Sequence, residues 1–347
     1  MNTASTSSGP PAIPYPLTHY DEQLIPPPLP EPPKPNLPRS DLLYAEKMKT
    51  AGTSSGPANP LNQQNDTIVQ IISPPGPNLP RSDLLDGPRE DYIKIGAPLY
   101  EAAIKGDWKA AKPILDKHPN VIRFAITENY DTLLHIAASA ESTKAVEEFV
   151  TNLVTLMDKN DLELQNKNYN TALSLAAAAG NVKTATIMVK KNPAVTEIPG
   201  NNRVMPLYMA ALFEKPLMVR YLYGISNKMG GDYWSTDNRG WVLQKCVEAD
   251  IFDVAIKIVD DRPELITVWK GLLSDILITL AQKTDAFEGT KPNVVLRIIN
   301  SFFVAFHVKI GPREKESEAL KFLRKIWFEV TKMPKDDIDD ILRGPRK

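Results

Sequence analysis

Four histidines and one cysteine are the side chains of this 347-residue sequence best suited to acid–base, nucleophilic or metal chemistry. General-base catalysis near neutral pH needs a histidine with a matched acid or nucleophile beside it. His19, His118 and His307 stand apart in the sequence, and His135 has no such companion. The chain also has no Gly-x-Ser-x-Gly, phosphate-binding loop or His-Glu-x-x-His string. The sequence therefore predicts no catalytic residue, no metal site and no cofactor.

The charge balance and the cysteine count narrow the possible partners and compartments. The chain has 41 Lys and Arg against 42 Asp and Glu, a formal net charge of −1. Proteins held on nucleic acid by phosphate contacts usually carry a clear basic surplus, so we expect no nucleic-acid partner. A lone cysteine forms neither an internal disulfide nor a thiolate cluster, which indicates a reducing compartment. We therefore expect a cytoplasmic protein.

The most apolar stretch of the chain, residues 294–308, is too short to span a bilayer. A transmembrane helix needs roughly twenty apolar residues, and this stretch is interrupted by Arg297, Asn300 and His307. We expect no membrane span in this chain.

Proline divides the sequence into two parts. Nineteen of the 31 prolines lie in residues 1–90, together with Ser, Thr and Gly runs and few aromatic residues. Such a segment has too little apolar surface to offset the entropy of ordering its backbone. We predict a disordered arm over residues 1–90 and a folded region from residue 91.

A nine-residue string occurs twice in this arm. Pro-Asn-Leu-Pro-Arg-Ser-Asp-Leu-Leu spans residues 35–43 and again residues 77–85. A tandem duplication explains it most simply, since disordered tails tolerate insertion. The alternative is a duplicated docking motif, in which residues 25–39 and 77–81 form polyproline II ligands for a proline-motif reader with an aromatic-lined groove.

A looser repeat fills the folded region. In its first four copies a leucine is followed three and four residues later by alanines, which places all three on one helix face. Spacings of 34 to 39 residues between the leucines are typical of a solenoid of helix pairs. The repeated leucines are Leu99, Leu134, Leu173, Leu207, Leu243 and Leu277.

Cap and turn residues recur at fixed positions around these leucines. Gly106 and Gly180 follow their leucines by seven residues, where a left-handed residue ends a helix most easily. Thr132 and Thr171 stand at helix starts, where a hydroxyl caps exposed N–H groups. Asparagine precedes the leucine by five residues in four copies, and asparagine tolerates the left-handed conformation of a turn. These four are Asn129, Asn168, Asn202 and Asn238.

The string Thr132-Leu133-Leu134-His135-Ile136-Ala137-Ala138 and its copies resemble ankyrin repeats. The resemblance covers roughly residues 92–285, although Asn-Tyr replaces the Asp-Gly usual at the turn tip. It implies an all-α fold, an ankyrin-repeat solenoid of stacked helix-turn-helix units. We assign five to six repeats to residues 91–285, the last two degenerate, and a C-terminal helical cap or spacer to residues 286–347.

The later repeats are similar to one group of ankyrin proteins in particular. Residues 238–241, 246–255 and 262–265 look like the plant ankyrin proteins whose C-terminus carries a membrane-spanning PGG domain. That family is associated with stress and defence signalling at membranes. The helices it would place after residue 340 are missing from this sequence. The resemblance implies either an adaptor in such signalling or the cytosolic part of a longer protein anchored at the plasma membrane.

Ankyrin proteins bind other proteins on a concave face, which is formed by turn tips and exposed positions late in the first helix of each repeat. Among the corresponding positions here, Leu212 and Phe213 are large apolar residues, which indicates either a partner anchor or burial against an irregular neighbouring repeat. The partner's identity stays open. The predicted partner-binding residues are Glu128, Asn129, Asp131, Ser139, Lys167, Asn168, Asn170, Ala178, Asn201, Asn202, Val204, Leu212, Phe213, Asp237, Asn238 and Glu248.

The chemically suggestive residues also have structural interpretations. His135 occupies a repeat position held elsewhere by Tyr100, Ser174, Tyr208 and Gln244, so we expect it to tie a helix start to the neighbouring turn. Cys246 replaces an alanine of its repeat, which favours a buried small residue over a reactive thiol.

The basic amphipathic segment 318–332 has two interpretations. It either packs on the end of the solenoid, which we favour, or binds calmodulin or an acidic membrane surface. The sequence as a whole predicts a non-catalytic interaction scaffold, with a substrate-positioning subunit of an enzyme complex as the rival interpretation.

Overall fold

The computed structural model describes residues 77–268, 270–287 and 317–343, which fold into helices and connecting loops. Five helix pairs follow one another, and we number them repeats 1 to 5. Their bounds are Ala97–Lys105 with Trp108–Lys117, Leu133–Ser139 with Lys144–Leu156, Ala172–Ala179 with Val182–Lys191, Pro206–Leu212 with Pro216–Ile225, and Thr236–Glu248 with Phe252–Asp261.

The repeats stack helix on helix. The first helices of successive repeats pack against one another, and several second helices do the same. The paired alanines lie at these contacts: Ala137, Ala138, Ala176 and Ala177 are fully buried. Their small side chains let neighbouring helices approach closely, and no single repeat could bury these faces alone. The predicted solenoid of helical repeats is confirmed.

Two helices from distant parts of the chain pack on repeat 5. Lys270–Gln282 packs on the first helix of repeat 5, and Glu318–Val330 packs on its second helix. The rings of Phe322 and Phe252 meet there with centroids 6.0 Å apart. The apolar face of the basic segment is therefore buried against the solenoid, as the packing interpretation expects. Lys335–Arg343 packs in turn on Lys270–Gln282.

Short helical turns connect the repeats. Three of them precede repeat 1, and four carry the chain from a second helix towards the tip loop of the next repeat. They are Asp83–Asp86, Arg89–Asp91, Tyr92–Gly96, Pro119–Arg123, Lys159–Glu163, Pro193–Glu197, Asn201–Arg203, Asn227–Met229, Glu264–Val268 and Thr284–Phe287.

The predicted helix caps are confirmed. The hydroxyl of Thr132 accepts a hydrogen bond from the backbone N–H of His135, and that of Thr171 accepts one from Ser174. Gly106 and Gly180 end their helices at φ 71° and 83°, the left-handed region that glycine enters without steric cost.

Asparagine marks a turn, as predicted, in three of the four copies, at Asn129, Asn168 and Asn202. In repeats 2 and 3 the left-handed residues are Tyr130 and Tyr169, at φ 64° and 62°, each directly after the predicted asparagine. Asn202 does adopt the left-handed conformation, at φ 54°. Asn129 and Asn168 thus lie in the predicted turns, and their side chains serve as hydrogen-bonding partners within and between the tips.

Asn238 lies inside a helix rather than in a turn. Its side chain accepts a hydrogen bond from the backbone N–H of Ser235 at 2.8 Å, and the Ser235 hydroxyl accepts one from the backbone N–H of Asn238. This reciprocal capping box starts the helix at Thr236, seven residues ahead of Leu243.

Part of the predicted arm is folded. Residues 77–90 lie on the solenoid, where Pro80 and Leu84 are buried and Arg81 pairs with the loop at Phe124. The boundary at residue 90 is therefore too late for this stretch. Residues 1–76, with the first copy of the nine-residue string, and the apolar stretch 294–308 lie outside the described residues. Of the helices that are described, none is long and apolar enough to cross a bilayer.

Candidate functional site

The tip loops of repeats 2 to 4 present polar side chains to solvent. We call the accessible part of these loops the tip surface. Asn129 is half-buried, and the other members are exposed. The tip surface consists of Glu128, Asn129, Lys167, Asn168, Asn201 and Asn202.

The tip loop of repeat 2 is held closed by its own hydrogen bonds. The backbone N–H of Tyr130 donates to the carbonyl of Thr127, and that of Ile126 donates to the carbonyl of Asp131, both at 2.8 Å. The Thr127 hydroxyl donates to the Asp131 carboxylate at 2.7 Å. The loop in repeat 3 closes in the same way between Asn166 and Tyr169.

Further hydrogen bonds lock the tip of repeat 3 to that of repeat 2. The backbone N–H of Lys167 donates to the carbonyl of Asn129 at 2.9 Å, and the Asn168 amide donates to the Asn129 side-chain oxygen at 3.0 Å. Below them, the buried Asn166 amide donates to Asp131 at 2.8 Å. The Lys167 ammonium lies 4.2 Å from the centroid of the Tyr130 ring, a cation–π distance. The two tips thus form one preorganised surface.

His135 makes the connection that its repeat position predicts. Its Nε2 lies 3.0 Å from the carbonyl oxygen of Asn170 in the next tip, so this nitrogen must carry the proton. Its Nδ1 accepts from the backbone N–H of Thr132 at 3.3 Å and lies 2.7 Å from the Thr132 hydroxyl. Burial lowers the pKa of His135, against the opposing effect of the Asp131 charge. The imidazole is a neutral structural link between repeats 2 and 3.

Half of the predicted partner-binding residues are buried within the chain. Glu128, Lys167, Asn168, Asn201, Asn202 and Asp237 are exposed, and Asn129 and Glu248 are partly so. The prediction of an accessible side chain is wrong for the rest. The buried ones are Asp131, Ser139, Asn170, Ala178, Val204, Leu212, Phe213 and Asn238.

The late positions of the first helices are covered by the following repeat. The buried amide of Asn181 donates to the carbonyls of Ala138 and Ala140, both at 2.8 Å, and so closes the end of the repeat 2 helix around Ser139. Next to Ala178, the side chain of Lys215 lies over Gly180. In this solenoid the ends of the first helices are inter-repeat contacts.

Leu212 and Phe213 are core residues rather than surface anchors. They are only 6% and 8% exposed. The helix that ends at Leu212 packs along the first helix of repeat 5, Thr236–Glu248. A charge placed at residue 213 would disturb folding and could not report on a partner.

The buried polar residues among the predicted partner-binding set form hydrogen bonds within the chain. Asp131 accepts from Asn166, the carbonyl of Asn170 faces His135, and the Asn238 amide donates to the carbonyl of Tyr233 at 2.9 Å. Val204 closes its tip loop because its carbonyl accepts from the N–H of Gly200 at 2.7 Å. These buried residues shape the tips.

Cys246 is fully buried, and burial raises the pKa of its thiol. The interpretation as a small core residue is therefore supported. Within residues 77–268, 270–287 and 317–343, no three His, Cys, Asp or Glu side chains are placed to hold a metal ion.

Several residues that fix the tips were missed from the sequence. Gln165 is buried, and its amide donates to the carbonyls of Tyr169 at 2.8 Å and Pro199 at 3.1 Å, which links repeats 3 and 4. Asn192 links back in the same manner, to the carbonyl of Lys159. The sequence does not distinguish a loop residue that is buried and links two repeats from one whose side chain is exposed to solvent.

Comparison with known families agrees with this geometry. Residues 134–237 match the family model for ankyrin repeats, in three copies. The match runs from the first helix of repeat 2 to the start of repeat 5 and includes every residue of the tip surface except Glu128 and Asn129. No curated protein matches the chain. Ankyrin repeats are protein-interaction modules, so the match indicates a role in protein binding.

Proposed function

We propose that this chain is a non-catalytic scaffold that binds a partner protein with the tip surface of repeats 2 to 4. The observation that carries the proposal is the hydrogen bonding between the tips of repeats 2 and 3. Because Lys167 and Asn168 are fixed to Asn129, their outward side chains lose little further freedom on binding. Preorganised contact residues lower the entropic cost of association.

The charges of the tip surface favour a polar partner surface. Glu128 and Lys167 are both exposed and lie on adjacent tips, so neighbouring tips present opposite charges. Such a pattern sets orientation and partner choice more than raw affinity. A partner with a complementary pair of charges fits this surface.

We further propose that this binding serves plant stress or defence signalling, as in ankyrin proteins of the PGG group. The support is the resemblance of residues 238–241, 246–255 and 262–265 to that group. In the structure these residues belong to repeat 5 and the turn after it. Reading the transcript beyond residue 347 tests the membrane-anchored form of this proposal, which expects runs of roughly twenty apolar residues there. A stop codon at that point in every transcript would contradict the anchored form.

Affinity capture with a matched pair of charge-reversal variants tests the scaffold proposal. The tip variant, Glu128→Lys with Lys167→Glu, keeps the net charge and removes one cation–π contact, which contributes about 0.5–1 kcal/mol at an exposed site. The control variant, Glu148→Lys with Lys190→Glu, reverses two exposed charges on second helices.

We expect proteins captured by the wild-type full chain to be retained by the control variant and reduced at least tenfold with the tip variant. Both variants should melt near the wild-type temperature. Equal capture by the two variants would place the binding surface elsewhere.

A further inference from the structure

The second copy of the nine-residue string, residues 77–85, lies in a groove between two loops of the solenoid. Its backbone makes the main hydrogen bonds there. The N–H of Arg81 donates to the carbonyl of Arg123 at 3.0 Å, and the carbonyl of Arg81 accepts from Ala125 at 2.7 Å. Three residues earlier, the carbonyl of Asn78 accepts from the N–H of Gln165 at 2.8 Å. We call this site the string groove.

Side chains of the string add specific contacts. Pro80 and Leu84 are buried, and the Arg81 guanidinium lies 5.0 Å from the centroid of the Phe124 ring. Asp83 accepts from the same guanidinium and so fixes its direction. Proline also holds the residue before it in an extended conformation, which suits pairing with a loop backbone. The groove therefore recognises both an extended backbone and a pattern of side chains.

All of these determinants lie within the nine residues that occur twice. The first copy, residues 35–43, has Asn36, Pro38, Arg39 and Leu42 in the same order and spacing. The residues on either side of the string differ: Lys34 precedes the first copy in place of Gly76, and Tyr44 follows it in place of Asp86. That aspartate accepts a hydrogen bond from the Ser82 hydroxyl in the docked copy.

We propose that the string groove is a binding site for this nine-residue sequence and that residues 35–43 of the same chain are its second occupant, exchanging with residues 77–85. When the first copy occupies the groove, the second copy and the segment that follows it are released. The duplication then provides two interchangeable ligands for one internal site. This use of the arm is separate from binding at the tip surface.

Chain connectivity sets the balance between the two occupants. Residues 86–96, eleven in number, join the docked copy to the first helix, whereas 53 residues, 44–96, would join the first copy to it. Loop closure that scales as the three-halves power of length favours the nearer copy about tenfold. The hydrogen bond to Asp86 adds to this preference. We expect residues 77–85 to occupy the groove in most molecules and residues 35–43 in a minority.

Disulfide trapping in the full chain detects such a minority. One cysteine replaces Gln165, and a second replaces Asn78, Asn36 or Asn62. Asn62 is the matched control, an arm asparagine outside both strings. All three proteins share the Gln165→Cys change, so its effect on the groove cancels. The native Cys246 is buried and does not compete.

We expect the 78–165 disulfide to form fastest under mild oxidation and the 36–165 disulfide to form about tenfold more slowly within single chains. The 62–165 pair should form more slowly still, as measured by mass spectrometry of proteolytic fragments. Trapping of 36–165 no faster than 62–165, or only between two chains, would overturn the proposal.

Thermal unfolding of the full chain gives a second, independent measurement. Pro80→Glu with Leu84→Glu disables the docked copy, and Pro38→Glu with Leu42→Glu disables the first copy. We expect the first-copy variant to melt like the wild type, and the combined variant to melt at a lower temperature than the second-copy variant. Equal melting of the combined and second-copy variants would show that residues 35–43 never occupy the groove.

Discussion

At the scale of single residues, buried polar side chains link one repeat to the next. Asn166, Asn181 and Asn192 are each buried, and each donates a hydrogen bond to a group more than 25 residues away in sequence. A buried amide without such a partner would be costly, so these bonds fix the register between repeats. Burial of these three residues could not be predicted, because exposed turn asparagines such as Asn201 look the same in sequence.

His135 makes stability depend on pH. Its pKa is lowered in the folded chain, mainly by burial, so below its ordinary value near 6.5 the unfolded chain binds a proton that the folded chain resists. Stability is therefore full above about pH 6.5 and falls as the pH is lowered. His135→Gln removes this titration and supplies a residue found at the same position in repeat 5, Gln244.

We expect the melting temperature of the wild type to fall by a few degrees more than that of His135→Gln between pH 7.5 and pH 5.5. Parallel melting curves for the two proteins over this range would contradict the neutral, buried imidazole. The role of His135 as a link was predictable from the repeat register, whereas its tautomer depends on the carbonyl of Asn170, which only the fold brings near.

At the scale of the elements, the helix starts and ends follow local sequence closely. Thr132 and Gly180 act within one turn of their own helices, so their roles are visible in the sequence. The start of the repeat 5 helix was misjudged because the capping box of Ser235 and Asn238 overrides the asparagine pattern of the earlier repeats. The repeat register therefore predicts where a helix starts only where no capping box sets a different start.

The two left-handed glycines provide a matched test of inter-repeat packing. A Cβ at Gly106 would lie 2.4 Å from the backbone of Ala145 and Val146, whereas one at Gly180 would first meet the flexible side chain of Lys215 at 2.9 Å. The left-handed conformation alone makes Gly180→Ala unfavourable by roughly 1–2 kcal/mol. We expect Gly106→Ala to lower the free energy of unfolding by at least about 1 kcal/mol more than Gly180→Ala does, because the backbone of Ala145 and Val146 must move.

Urea unfolding of the two alanine variants measures this difference. An equal loss of unfolding free energy in the two variants would contradict this expectation. It would mean that the backbone of repeat 2 moves aside as easily as the side chain of Lys215 does.

At the scale of the whole molecule, the solenoid buries its core through nearest neighbours. Phe322, from a helix far along the chain, is fully buried and packs on Phe252 of repeat 5. The amphipathic pattern of residues 318–332 predicted a buried face but not which helix it would cover. That pairing, like the docking of residues 77–85, depends on contacts between distant parts of the sequence.

Loss of Phe322 should destabilise the solenoid from its C-terminal end. Phe322→Ala creates a cavity, and such truncations cost roughly 3–5 kcal/mol. Because each repeat contacts only its neighbours, we expect faster hydrogen exchange in Phe252–Asp261 and little change in Leu133–Ser139.

Phe328→Ala, on the same helix but 58% exposed, serves as the control and should leave exchange unchanged. If Phe322→Ala instead accelerated hydrogen exchange equally in all repeats, the solenoid would unfold as a single cooperative unit.

The docked string also determines where mechanical tension enters the fold. A pull on the N-terminal arm first reaches the hydrogen bond between Asn78 and Gln165, in the loop that leads to repeat 3, and then the pairing of Arg81 with the loop before repeat 2. Repeat 1, although nearest in sequence, is loaded last. Force on the arm would thus be felt in the middle of the stack before it reaches the first repeat.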